Sequence, residues 1–306
     1  MPRQALSTQS LLTLRRREQI AGTLFVLPDL IGLLLFAGLP MLLALALGFF
    51  AVDGFGGYRF IGLANYRRML HDPLFLQSLR LTCLYVALLV PSLYLSGLGL
   101  ALLVQRRSFL SGLLRTMFFM PQMVSLVVVA IIWQVLLVDK IGIVSRLSSL
   151  LGIGGLSWLG DPSLALYAVV LISVWFLMGF YMLIFLGGLQ DIPREYYDAA
   201  RMDGASAWNA LVYITLPLLK PTSFFVVLIS TVAAVAGSQA FDLVYVMTKG
   251  GPANSTSLTI YYIYQQAFQY SEFGYASAMA TILVLVLMTA TLLLFALTKG
   301  GRFDHG

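Results

Sequence analysis

Residues 198–217 read DAARMDGASAWNALVYITLP, and this stretch decides how the whole chain is read. From Asp191 to Gly204 six of fourteen residues are charged, while the long apolar runs around it carry only Asp29 and Asp242. A charged island between greasy runs belongs in water, where another molecule can reach it.

Its local grammar is helix, corner, helix. Asp191 precedes Pro193 and Glu195, an order that suits a helix start, with proline in the first turn and acids at the positive end of the dipole. Gly204 can take the left-handed conformation that closes a helix. Ser206 then caps a second helix running from Trp208 to Ile214, before Pro217. On the first helix Ile192, Tyr196, Ala199 and Ala200 share one face, and Arg194, Asp198 and Arg201 are spaced for i,i+3 and i,i+4 pairs on another. The plain alternative is a surface helix that packs under its own bundle.

Outward from this corner, six apolar runs are long enough to cross a bilayer: 20–50, 81–104, 117–138, 165–186, 223–247 and 276–298. Of 306 residues, 59% are hydrophobic and 10% charged, with mean hydropathy +0.89, which excludes an ordinary soluble domain. A single membrane domain over residues 1–306 is expected, with 187–222 as its principal loop. The first run holds Pro28 and Pro40 and exceeds one span, so it kinks, tilts or begins at the interface. It is also too long for a secretory signal and is expected to be retained. The net charge of +6 is spread without a long basic tract, which argues against nucleic acid and for a role in orientation. Cys83, alone, makes no intramolecular disulfide.

Six spans place both termini on one side. With the N-terminus inside, the inner segments hold 12 Lys and Arg in 75 residues and the outer ones 7 in 84, so both termini and the 187–222 loop are expected in the cytoplasm. Outside, GLANYRRMLHDPLFLQSLR (62–80) has the spacing of an interfacial amphipathic helix, and TKGGPANST (248–256) reads as a turn.

Polar groups inside spans usually face a bundle interior or a wet path. Gln122 and Ser125 lie beside Pro121 in the third run, with Trp133 and Gln134 further on. Trp175, Phe180 and Tyr181 lie in the fourth, and Ser238, Gln239, Asp242 and Tyr245 in the fifth, beside Gly237. Aromatic faces with amides and hydroxyls suit sugars, whose rings offer C–H faces and hydroxyl edges. Each also has a packing explanation: gap filling for the tryptophans, an interfacial belt for Tyr245, interhelical bonds for the glutamines. Asp29 reads as structural.

The spacing of Asp198-Ala199-Ala200, Gly204 and Ile214-Thr215-Leu216-Pro217 resembles the cytoplasmic "EAA" loop of binding-protein-dependent ABC transporter permeases, with Asp198 in place of the usual Glu. FIGLANYRRML, RTMFFMPQMVSLVVVAIIWQVLL, LQDIPREYYDAARMDGA, ITLPLLKP and FDLVYVMTKGGPANST followed by GYASA look, in order, like the carbohydrate-uptake branch, the maltose-type and glycerol-phosphate-type permeases. The resemblance implies an all-α domain of the type I ABC importer architecture, in the inner membrane of a bacterium. It implies that Glu195, Asp198, Ala199, Ala200, Gly204, Ala205, Ile214, Leu216 and Pro217 dock as a coupling element on a separate ATPase subunit. The implied partners are a second homologous permease subunit, two ATP-binding subunits holding ATP and Mg, and an extracytoplasmic solute-binding protein; the chain needs no cofactor of its own. The low-affinity cargo path would use Gln122, Ser125, Trp175, Phe180, Ser238, Gln239, Asp242 and Tyr245. No arginine lies in any span, which disfavours a strongly anionic cargo.

No G-x-x-x-x-G-K-[ST] phosphate loop occurs, nor H-E-x-x-H, paired C-x-x-C, G-x-S-x-G or D-x-x-D, so enzymatic activity in this chain is not expected. An ion-coupled secondary transporter would show buried carboxylates and related halves, and a membrane enzyme acting on lipid-linked substrates would show acid pairs at the surface. Neither rival accounts for the twenty-residue spacing.

Overall fold

The computed structural model describes residues 8–52, 54, 56–105, 108–139, 142–150 and 156–298. Residues 1–7 and 299–306, on which the expected placement of both termini bears, lie outside that set.

The chain opens with helix α1 (Thr8–Leu33), a π-helical turn (Leu34–Gly38) and α2 (Leu39–Leu47), which carries Pro40 in its first turn. A two-stranded antiparallel hairpin follows, β1 (Phe50–Val52) and β2 (Tyr58–Phe60), with Phe50 opposite Phe60. Then come α3 (Ala64–Leu70) and α4 (Pro73–Val104). The segment expected as one surface helix over 62–80 is thus divided. Asp72 accepts from the backbone N–H of Leu74 (2.9 Å) and Phe75 (3.3 Å), and with Pro73 in the first position it starts the second spanning helix about two turns before residue 81.

Next are α5 (Phe109–Phe119), a 3-10 turn (Met120–Met123), α6 (Leu126–Leu136), α7 (Ile143–Leu150) and α8 (Ala165–Gln190). Where the sequence suggests a span at 117–138, the chain turns by 97° between 109–123 and 126–136, because Val124 is extended. The 187–222 loop forms α9 (Arg194–Met202), α10 (Ala207–Ala210), a π turn (Leu211–Thr215) and α11 (Leu216–Leu218). A 65° bend leads into α12 (Lys220–Ala236). The 223–247 run also breaks, at extended Gly237, into α12, α13 (Ser238–Leu243) and a π turn (Val244–Thr248). Beyond the turn at 248–256, α14 (Thr259–Tyr264) and a π turn (Gln265–Gln269) lead to α15 (Phe273–Leu297).

Helices α4 and α8 make the central pair, and α12 packs on both. Their approach is close because Gly97 has no side chain: a Cβ there would lie 3.0 Å from Tyr181 Cβ. Tyr85, Leu89 and Leu93 of α4 meet Ile172, Met182 and Phe185 of α8 in the main core. Burying the Tyr85 hydroxyl is acceptable because it bonds Ser173 Oγ at 2.8 Å. Tyr94 stands edge-on to Phe185 and reaches Ser223 of α12 at 3.0 Å. Helix α15 packs instead on α2, α3 and β1 around Met69, Phe75, Tyr262, Tyr275 and Met279. The two clusters hold opposite ends of α4.

Candidate functional site

The 191–217 corner is built by local chemistry. Pro193 is the extended residue before α9, which places Glu195 in the first turn and Arg201 in the last, both favourable to the helix dipole. Asp198 pairs with Arg201 at 3.7 Å, one of the two pairs its spacing offers, across a solvent-exposed face where such a pair adds little. Gly204 has φ +75°, and the Ala205 N–H reaches back to the Ala200 carbonyl at 2.8 Å, closing the helix. Ser206 Oγ accepts from Asn209 N–H at 3.2 Å and starts α10. The corner is then tied across its base, where the Tyr197 hydroxyl lies 3.0 Å from Thr215 Oγ1.

Two cavities flank α9, one of 1020 Å³ with Gln105, Asp191, Arg194 and Asp198 on its walls, the other of 400 Å³ with Tyr197, Ala200, Ala205 and Thr215. Ala200 and Ala205 are half-buried against the second, whereas Glu195, Asp198, Ala199 and Gly204 are exposed. Ile214, Leu216 and Pro217 are half-buried. Large apolar side chains also stand in the open: Tyr196, which the sequence placed on the face shared with Ala199 and Ala200, at 52%, Met202 at 89%, Trp208 at 70% and Tyr213 at 76% exposure. They stand on the same corner as the exposed Glu195 and Asp198. Their signal was legible in the sequence, since Met202 and Trp208 bracket Gly204.

The polar and aromatic residues of the spans fall into two neighbouring groups. In the first, Trp133 of α6 stands edge-on to Trp175 of α8 at 5.5 Å, Gln122 donates to the Phe176 carbonyl at 3.2 Å, and Phe180 meets Tyr181 at 5.4 Å. Ser125 is exposed at the bend between α5 and α6. In the second, Tyr245 stacks on Phe241 at 5.4 Å and stands edge-on to Tyr264, while Asp242 and Gln239 are half-buried and Ser238 is exposed. Helix α6 joins the groups by packing on α13 and its π turn, with Gln134 donating to the Met247 carbonyl at 3.5 Å. Phe241, Tyr261, Tyr264 and Phe268, outside the set expected from the sequence, extend the second group. The run TIYYIYQQAFQY was its signal.

At the far end of α4, Asp72 does more than start a helix. Its Oδ2 accepts from the hydroxyls of Tyr262 (2.8 Å) and Tyr275 (2.7 Å). Burial pushes the carboxyl pKa up, but these two hydroxyls and the two backbone N–H groups outweigh it and hold the carboxyl below its ordinary value. Arg68 pairs with Glu272 and lies 4.1 Å over the Tyr275 ring. An 870 Å³ cavity opens beside this cluster, with Tyr58, Arg59, Asn65 and Glu272 on its wall.

Among the described residues, four helices long and apolar enough to cross a membrane, or six with each bent pair taken as one span, define an all-α polytopic membrane protein. Residues 94–299 match the family described as the binding-protein-dependent transport system inner membrane component, and the chain belongs to that family. It is 36% identical to a probable ABC transporter permease of Pyrococcus horikoshii, over 88% of this chain and 92% of that one. It is 33% identical to the lactose transport system permease LacF of Rhizobium radiobacter, over 95% and 98%. It is 32% identical to the trehalose/maltose transport system permease MalF of Thermococcus litoralis, over 95% and 96%. The fold is also that of a chain in a bacterial alginate ABC transporter crystallised with an alginate pentasaccharide-bound periplasmic protein, with TM-score 0.81, 20% identity and coverage of 93% and 95%.

Proposed function

We propose that this chain is the permease subunit of an ATP-driven importer that carries a sugar or sugar-like solute across the cytoplasmic membrane by alternating access. The observation that carries the reading is the glycine-cornered helix pair α9–α10, which presents Met202 and Trp208 beside Glu195 and Asp198 with little of its own chain covering them. Such a face fits a cleft on a separate ATPase subunit, as a helix fits a groove. Ala199 allows close contact, Asp198 meets a basic group, and Gly204, Ala205 and the Ile214–Pro217 segment pass the movement to α12. Alternating access then follows from a lever attached to a bent span.

Sugar cargo is supported by the names of the lactose and trehalose/maltose relatives and by the aromatic and amide groups on the spans. Trp175, Phe180 and Tyr245 are 36 to 42% exposed in the single chain, as expected if a second, homologous permease subunit closes the path. Gln122, Ser125, Ser238, Gln239 and Asp242 supply hydrogen-bonding edges around them. ATP and Mg belong to two partner ATPase subunits, and a solute-binding protein delivers cargo to the end bearing the hairpin and the Asp72 cluster. In this reading the 191–217 corner and both termini face the cytoplasm.

The test is to purify the assembled complex, reconstitute it in vesicles and measure ATP hydrolysis with receptor loaded with candidate sugars. Stimulation by one loaded receptor is expected. Uptake that survives ATP depletion and stops when the proton gradient collapses would instead favour an ion-coupled transporter.

A further inference from the structure

The aromatic side chains of the second group do not stop at the fifth span. Phe241 stacks on Tyr245 at 5.4 Å, and Tyr245 stands edge-on to Tyr264 at 5.4 Å. Tyr264 meets Phe268 at 5.3 Å, and Phe268 meets Phe273 at 6.0 Å. One unbroken line of ring contacts therefore leads from Gln239 and Asp242 in the fifth span toward the β1–β2 hairpin, which lies beyond the spans. At that end the hairpin presses on the last ring: a Cβ at Gly54 would lie 2.6 Å from Phe273 Cε2. The residues just before Phe273, Ser271 and Glu272, are on the wall of the 870 Å³ cavity.

Packing alone explains some rings of this group. Tyr261, beside Phe241, is 2% exposed and belongs to the main core. The line itself is different, with Phe268 68% and Tyr245 42% exposed and Tyr264 half-buried. Tyr245 and Phe268 both sit in π turns, Val244–Thr248 and Gln265–Gln269, a local irregularity frequent at functional sites. Amides accompany the rings: Gln265 Nε2 donates to Gln269 Oε1 at 3.4 Å, and Gln269, next to Phe268, is exposed. Open ring faces with amide edges beside them suit sugar rings, which offer C–H faces to the one and hydroxyls to the other.

We propose that this line is an entry track for an oligosaccharide, whose successive rings lie on Phe268, Tyr264 and Tyr245 as the chain passes from the hairpin end to Asp242. This rests on the proposed import of a sugar and names the cargo class more narrowly. A single sugar ring needs one aromatic platform. Several platforms in contact hold a chain of rings, and because each holds weakly, the leading end can move on. Phe273, pinned by Gly54, buttresses the outer end of the track.

The test uses the assembled complex in vesicles with its solute-binding protein and ATP, supplied with malto-, cello- and xylo-oligosaccharides from one ring upward. Wild type is expected to import chains of three or more rings from at least one series. Phe268→Leu keeps an apolar side chain and removes the platform. It should lower uptake of long chains relative to the shortest imported member of the series at least about fivefold, the effect of losing one aromatic contact. Phe268→Tyr should keep the wild-type ratio. Leu292→Ala, exposed at the other end of α15 from Phe273, is the control and should not change it. An equal loss at every chain length, an unchanged ratio in Phe268→Leu, loss of the second permease subunit from that variant's complex, or a wild type restricted to shorter sugars would overturn the inference and leave sugar import standing. ATP-dependent import of none of these saccharides would overturn the proposed function as well, and so distinguishes the two failures.

Discussion

The Tyr197 hydroxyl and Thr215 Oγ1 meet at 3.0 Å, bridging the first helix of the 191–217 corner and the π turn that leads to the fifth span. Thr215 is buried, and its hydroxyl also donates to the Ala210 carbonyl at 3.2 Å. The corner is therefore braced as a triangle rather than left as two hinged rods. A lever transmits force only if it does not fold at its own joint.

Tyr197→Phe removes one arm of that brace and leaves the ring in place. It should lose about 1 kcal/mol of local stability and lower solute uptake several-fold, while solute-independent ATP hydrolysis persists. Parallel measurements of uptake and hydrolysis in reconstituted vesicles check this. A proportional fall in both would mean that the bond supports folding alone.

Gly204 offers a cleaner dissection. Its φ of +75° is the left-handed region, yet a Cβ there would meet nothing within 4 Å. A side chain is therefore resisted by backbone conformation and not by crowding. Gly204→Val should cost about 1–2 kcal/mol at the corner and reorient α10. Membrane insertion, read by protease protection, should be normal, and uptake should be lost. Gly204→Asn, which tolerates this conformation better, should restore part of it.

These features were legible in the sequence because their causes are local. Gly204 and Ser206 announce a helix end and a helix start within three residues, and six long apolar runs announce an all-α membrane bundle. The bend at Val124 was not legible, because hydropathy runs on through it while the backbone becomes extended, whereas the break at Gly237 was foreshadowed by a glycine that loosens the helix there. The exposed face of the corner was only half legible. Helical periodicity groups Ala199 with Ala200, but which of them meets water depends on the bundle behind, and the structure turns Ala200 toward a cavity. Least legible was the partnership of Asp72, whose tyrosines stand 190 and 203 residues away in sequence.

Trp175 tests the cargo reading. Its ring stands edge-on to Trp133 at 5.5 Å and is 36% exposed, so truncation to alanine removes a contact surface and leaves α8 in its core. Trp175→Ala should reduce receptor-dependent uptake about tenfold, equivalent to roughly 1.4 kcal/mol, with the complex still purifying intact. Trp175→Phe should recover much of the loss by restoring an aromatic face. If both variants transport normally, the ring only fills the gap between α6 and α8.

Asp72 predicts how the opposite end responds to acid. Its carboxylate accepts from two backbone N–H groups and two tyrosine hydroxyls, and its pKa is held below the ordinary value. A depressed carboxyl pKa stabilises the fold above the unfolded value of about 3.9, and that contribution fades as pH falls through the lower folded value. Melting of the purified protein should therefore be insensitive to this group at neutral pH and weaken below about pH 4. Asp72→Ala should lose about 1 kcal/mol from the missing helix cap and flatten that acid limb. Asp72→Asn can still cap α4 but is a poorer acceptor for two hydroxyls, so it should fall between the two. The measurement is thermal unfolding in detergent from pH 3 to 7, and an acid limb unchanged in Asp72→Ala would assign it to other carboxyls.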